Sequence, residues 1–168
     1  MYWNLNKLVY LLFLSLAPIT LGAQKSIDKA LERYNRNSAP YISTAQASTQ
    51  TQALYLDARE LEEYKVSHLA HAEYIGYKNF NLDAFKQKYS NKTTPIIVYC
   101  SIGVRSENIA TKLLKAGYTD VQNLYGGIFK WLNEDRPIYD QYGNLTEKIH
   151  PYSKHWGKLL TNGTKVYH

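Results

Sequence analysis

The chain has 168 residues, 45% of them apolar and 20% charged, with a formal net charge of +6. That length supports one domain with a proper core and excludes two large ones, and the composition excludes wholesale disorder. The 20 Lys and Arg against 14 Asp and Glu are scattered without a long basic run. The charge therefore reads as a solvated surface, which argues against a nucleic-acid partner and only weakly favours a small anionic substrate.

Lys7 precedes an uncharged apolar run from Leu8 to Leu21, which small Gly22-Ala23 and polar Gln24-Lys25-Ser26 close. A positive start, an apolar middle and small residues at the end are the parts of a secretory signal peptide, with the cut expected after Ala23. Leu21 is an imperfect fit, since a small residue is preferred there. The alternative is an uncleaved membrane tether, but the run is short for a span and contains Pro18. The protein is thus expected to be exported, periplasmic or secreted.

Residues 24–40 are mixed and polar and read as a linker, with a short helix over Ile27 to Tyr34. Tyr41-Ile42-Ser43 reads as a short strand, and Thr44 to Gln52 as a short helix or loop. Ala53 to Asp57 reads as a buried strand, and Glu60 to Tyr64 as a helical turn with acids at its start, where the helix dipole favours them. An extended piece follows at Glu73 to Ile75. Leu82, Phe85 and Tyr89 fall at helical spacing after Asn81, a good N-cap.

Ile96-Ile97-Val98-Tyr99-Cys100 is the clearest strand. Its apolar residues are continuous rather than alternating, as a strand covered on both faces requires. A helix is expected from Ser106 to Ala116, with Ile109, Ala110, Leu113 and Leu114 inward and Gly117 just past its end. Val121 to Leu124 is a further strand, and Gly126-Gly127 turn the chain into a short helix over Ile128 to Leu132 that Pro137 helps to end. Strands alternating with helices predict an α/β domain with a mostly parallel sheet. Residues 138–168 show no period and read as an extension, packed on the domain or partly loose.

Cys100 is the single cysteine of the chain, so no intramolecular disulfide can form and the fold must rest on its core. A lone cysteine is ordinarily a buried, inert residue. Cys100, however, ends a buried strand and precedes a helix, which is where ligands bind in open α/β sheets. Gly103 permits positive φ, so successive N–H groups can curve toward one point, and the helix N-terminus and Arg105 add positive character. Such surroundings bring a thiol from near 8.5 to roughly 3.5–7.5. They also suit an anionic substrate.

Four stretches, in this order and spacing, resemble a rhodanese domain. They are Leu54 to Arg59, Ser67 to Ala72, Ile96 to Cys100 with its loop, and Val121 to Gly127 followed by Trp131. The resemblance covers residues 41–137. It implies the rhodanese-like α/β fold, a mostly parallel central sheet with helices on both faces. It also implies sulfur transfer, in which the Cys100 thiolate takes sulfur from an anionic donor such as thiosulfate and passes it to a thiophilic acceptor, either a small molecule or a sulfur-accepting protein, without a cofactor. Ser101, Ile102, Gly103, Val104, Arg105 and Ser106 would bind substrate, Arg105 by its charge, while Ser106 on its own reads as a helix cap. Asp57 and Arg59 would support the site, Arg59 more readily through an ion pair than by lining it. The Cys-x4-Arg loop matches the sulfur-transfer branch rather than the longer loop of the related phosphatases. A non-turnover carrier or interaction module is the alternative. Ser67 and His71 stand where the family usually has Gly. The spacing of His68 and His71 invites a metal site, but neither Cys nor acid ligands accompany them suitably.

Overall fold

The computed structural model describes residues 17–167. Nine short strands and six α-helices occur among them: β1 (Tyr41–Ile42), β2 (Leu54–Asp57), β3 (Glu73–Tyr74), β4 (Ile96–Tyr99), β5 (Val121–Leu124), β6 (Ile138–Tyr139), β7 (Leu145–Thr146), β8 (Lys148–Ile149) and β9 (Thr164–Lys165), with α1 (Ala17–Tyr34), α2 (Thr44–Ala47), α3 (Leu61–Val66), α4 (Leu82–Lys88), α5 (Val104–Lys115) and α6 (Gly127–Asn133). The first five strands form one parallel sheet in the order β1-β5-β4-β2-β3.

β4 lies at the centre of this sheet, and its residues are buried on both faces. Ile97 and Tyr99 join a core that holds Ile42, Leu124, Ile128 and Phe129. Ile96 and Val98 join the opposite core, with Leu56, Phe85, Ile109, Leu113 and Tyr118. This two-sided burial is why the strand reads as an unbroken apolar run. Three helix ends follow the sequence reading. Asn81 Oδ1 accepts the N–H groups of Asp83 and Ala84, both at 3.0 Å, at the start of α4. Gly117 takes φ +91° just beyond α5, and Pro137 lies beyond the end of α6.

The short helix expected over Ile27 to Tyr34 is present as the end of a longer one, and residues 27–34 are docked rather than a free linker. Helix α1 runs unbroken through the position of the expected cut after Ala23, and Ile27 and Leu31 on its later turns are 0% and 4% exposed in the main core. The apolar spacing of Ile27 and Leu31, four apart on one face, supplies the reason. Most of the expected signal segment, residues 1–16, lies outside the described residues. No helix among the described residues is long and apolar enough to cross a membrane.

The extension after residue 137 is packed. β6 and β7 form an antiparallel hairpin, β8 pairs in parallel with β9, and Ile138, Ile149 and Leu160 are buried in the same core as α1. His68 and Tyr139 exchange backbone hydrogen bonds of 2.8 and 2.9 Å, tying the hairpin to the domain. A 3₁₀ turn at Trp156–Leu159 meets α1, where the Tyr34 and Trp156 rings stand edge to face at 5.8 Å.

If α1 is part of the domain, Leu31→Ala lowers the unfolding free energy by about 2–5 kcal/mol, whereas Glu32→Ala, on the exposed face of the same helix, changes it by less than about 0.5 kcal/mol. Urea titration of both variants checks this. Equal, negligible effects would return α1 to the status of a linker.

Candidate active site

Cys100 follows β4 directly, and its backbone is held by the neighbouring helix. The Cys100 and Ser101 carbonyls accept the N–H groups of Ile128 and Phe129, each at 3.0 Å, from the first turn of α6. In a trans peptide the carbonyl and the following N–H point in opposite directions. The N–H groups of Ser101 and Ile102 therefore point away from α6. This close approach needs Gly127: a Cβ there would lie 2.3 Å from the Cys100 carbonyl oxygen, and its φ is +54°. The Gly126-Gly127 pair therefore serves the loop as well as the turn.

The loop closes at Gly103, whose φ of +111° turns the chain into α5. Its N–H points at Cys100 Sγ, 3.2 Å away. The Gly103 carbonyl accepts from Asn123 Nδ2 at 2.8 Å and from Asn35 Nδ2 at 3.0 Å. Because Gly103 makes the turn, α5 begins at Val104, two residues before the expected start. Ser106 is consequently not a cap. It sits inside the first turn, fully buried, where its hydroxyl donates to Asn123 Oδ1 at 2.7 Å and its side chain and N–H face Cys100.

Cys100 is 2% exposed. Burial alone would raise its thiol. The Arg105 charge and the N–H groups of Ser106 and Gly103 outweigh burial and hold the thiol below its ordinary value.

The resemblance assigns Arg105 to an anionic donor, but the structure gives it a resident partner. Its guanidinium makes a two-pronged pair with Glu63, Nη1 to Oε2 at 2.7 Å and Nη2 to Oε1 at 2.8 Å. Nη2 also donates to Ser101 Oγ at 2.9 Å, and Ser101 in turn donates to Glu63 Oε1 at 3.0 Å. Glu63 is 1% exposed. A carboxylate so buried needs a counter-charge, and the planar fork of arginine matches it on two oxygens. Arg105 thus pins the loop to α3 and acts on Cys100 from a fixed place. Burial pushes the Glu63 carboxyl up, but the hydrogen bond and charge of Arg105, the charge of Arg59 and the Glu60 N–H draw it down below the ordinary range.

The acid that Arg59 pairs with is Asp57. Both are fully buried, with Nη2 to Oδ2 at 2.7 Å and Nε to Oδ1 at 3.0 Å. Arg59 also reaches the Ser67 carbonyl and lies over the Tyr99 ring. Neither lines the cavity at Cys100. His71 holds the left-handed φ of +56° that explains the family's usual Gly, and His68 stacks on Tyr64 with ring centroids 4.2 Å apart.

A cavity of about 240 Å³ opens beside Cys100 and the loop. Its other walls include Tyr77, Tyr152 and Trp156, with Glu60 and Lys78 also present. The Tyr152 ring lies against the Arg105 guanidinium, 4.9 Å from ring centre to its carbon. Sequence reasoning missed Glu63, Asn123 and the aromatic wall. Acids at a helix start read as dipole partners, which hid Glu63. Asn123 did carry a signal, since a polar side chain inside a buried strand must find a partner. The aromatics lie outside any periodic pattern.

Comparison with known proteins settles the family. The model of the rhodanese-like domain matches residues 41–134. The chain belongs to the rhodanese family. Rhodanese relatives include the thiosulfate sulfurtransferase GlpE of Coxiella burnetii, 31% identical over 75 residues, which are 45% of this chain and 67% of that protein. The tRNA uridine(34) hydroxylase of Chlamydia muridarum is 30% identical over 87 residues, 49% of this chain but only 26% of that protein. Among solved structures, a Bacillus halodurans protein superposes with a TM-score of 0.55 at 25% identity, over 69% of this chain and 88% of its own. A thiosulfate sulfurtransferase of Pseudomonas aeruginosa shares the fold, with a TM-score of 0.56 at 18% identity over 77% of this chain and 24% of its own.

A carboxylate held below its ordinary value stabilises the fold above the ordinary Glu range, and that contribution is lost as pH falls through the lowered value. Glu63→Gln leaves Arg105 without its counter-charge and should cost roughly 3 kcal/mol at pH 7. The gap to the wild type should narrow below about pH 4. Urea unfolding at both pH values checks this; a gap that does not change with pH would contradict the ion pair's part in stability.

Proposed function

We propose that this rhodanese is a sulfurtransferase that moves sulfane sulfur through a persulfide on Cys100. The observation that carries the reading is a thiol held below its ordinary value by Arg105, Ser106 and Gly103 at the floor of an open cavity. The Cys100 thiolate attacks the outer sulfur of thiosulfate, the S–S bond of the donor breaks, and sulfite leaves with the electron pair. The extra charge of the persulfide then rests on the outer sulfur, beside the loop N–H groups that α6 turns away from itself. A thiophilic acceptor attacks that sulfur, and the electron pair returns to Cys100. The cycle is two-step nucleophilic catalysis, and no separate base is needed when Cys100 starts as thiolate.

The relationship to GlpE supports thiosulfate as donor. Arg105 meets the donor with its charge already matched by Glu63, so the loop N–H groups and the exposed Lys78 carry more of the anion binding than the sequence suggests. The apolar segment Leu8 to Leu21 adds an exported location to the proposal.

Incubation with thiosulfate should add one sulfur atom to the intact protein by mass spectrometry, and cyanide should remove it as thiocyanate. Cys100→Ser should do neither. A persulfide that forms but is never turned over would convert the enzyme into a carrier, and no mass gain would overturn the sulfur chemistry altogether.

A further inference from the structure

The family match ends at residue 134, yet two walls of the Cys100 cavity come from beyond it. Tyr152 and Trp156 sit on the C-terminal segment, and Tyr77 joins them from the connection between β3 and α4. Each is fixed from behind. The Tyr77 hydroxyl accepts from Asn108 Nδ2 at 3.0 Å. Trp156 stands against Tyr34 of α1. Tyr152 holds a left-handed φ of +65°, its N–H donates to His150 Nδ1 at 3.1 Å, and its ring rests on Arg105 while remaining 50% exposed.

The volume is informative. A cavity of 240 Å³ has room for about eight waters at their share of liquid volume. Cyanide or sulfite would fill a fraction of it and leave the aromatic faces wet. A ligand with a carbon body would cover them, and apolar contact with rigid aromatic rings is a favourable use of such a wall. Cys100 is 2% exposed beside these rings, so its partner must reach into the cavity. A small free molecule can do so more readily than a thiol on the surface of a folded protein.

We propose that Tyr77, Tyr152 and Trp156 form the acceptor subsite of the cavity and that its occupant is a low-molecular-weight organic thiol with an apolar, preferably aromatic, body. The inference rests on the sulfur-transfer reading above and names its acceptor class. In the step, the acceptor thiolate attacks the outer sulfur of the Cys100 persulfide. A new S–S bond forms to the acceptor, the bond between Cys100 Sγ and the outer sulfur breaks, and its electron pair stays on Cys100 as thiolate. The product is the organic persulfide, and no external oxidant or reductant is required.

The test uses the thiosulfate-loaded full chain with two thiols of similar acidity, phenylmethanethiol and 2-mercaptoethanol. The expected result is a kcat/KM ratio favouring phenylmethanethiol by about tenfold, the worth of burying one aromatic ring edge. That ratio should fall toward unity in Trp156→Ala and Tyr152→Ala and be retained in Trp156→Phe. Because it is a ratio, a general loss of folded protein does not move it. No preference in the wild type, or a preference that survives both alanine variants, overturns the subsite. A reduced protein thiol outcompeting both small thiols would also overturn it. Binding of phenylmethanethiol to Cys100→Ser, followed by calorimetry, separates the two proposals. Binding that Trp156→Ala abolishes, in a wild type that forms no persulfide, would sink sulfur transfer but keep the subsite. Absence of binding would sink the subsite.

Discussion

The ion pair between Glu63 and Arg105 is the constraint on which the site depends. It joins α3 to the loop after β4, with both partners largely removed from water. Neither is tolerable alone at that depth, since an unpaired buried charge costs several kcal/mol. Together with the Ser101 hydroxyl they form a closed triangle of hydrogen bonds. The loop is thereby held at a fixed distance from a permanent positive charge, and Cys100 feels that charge without having to recruit it.

The second support is the way α6 approaches the loop from below. Its first turn takes the Cys100 and Ser101 carbonyls, which orients the following N–H groups the other way. Asn123 completes the arrangement by binding both Ser106 and the Gly103 carbonyl, which ties β5, α5 and the loop together. The conformation of the loop is thus set by contacts with its own neighbours, the arrangement under which fixed dipoles act most strongly on a charge. The chain ends then shape the cavity: α1 backs Trp156, and the C-terminal segment supplies the ring over Arg105.

Much of this was legible in the sequence because it follows from periodicity. The unbroken apolar run of β4 announced a strand covered on both faces, Asn81 and Gly117 marked helix ends, and the order of strands and helices pointed to a parallel sheet. Cys100 at the end of that central strand pointed to the cavity that forms the candidate site. What escaped is non-local. Glu63 and Arg105 lie far apart in the chain, and nothing in either neighbourhood names the other. Gly103 moved the start of α5 forward and turned Ser106 from a cap into a partner of Asn123. The helix over Ile27 to Tyr34 was legible, but not that it starts earlier and docks by Ile27 and Leu31 in the main core.

The central claim is that the loop shifts Cys100 toward the thiolate despite its burial. Titration of the thiolate absorbance, with Cys100→Ser as the blank, tests it most directly. The account predicts a midpoint below the ordinary thiol value of about 8.5 and an upward move in Arg105→Gln, which removes the positive charge that lowers it most. A midpoint at or above the ordinary value would mean that burial wins, and would contradict the account.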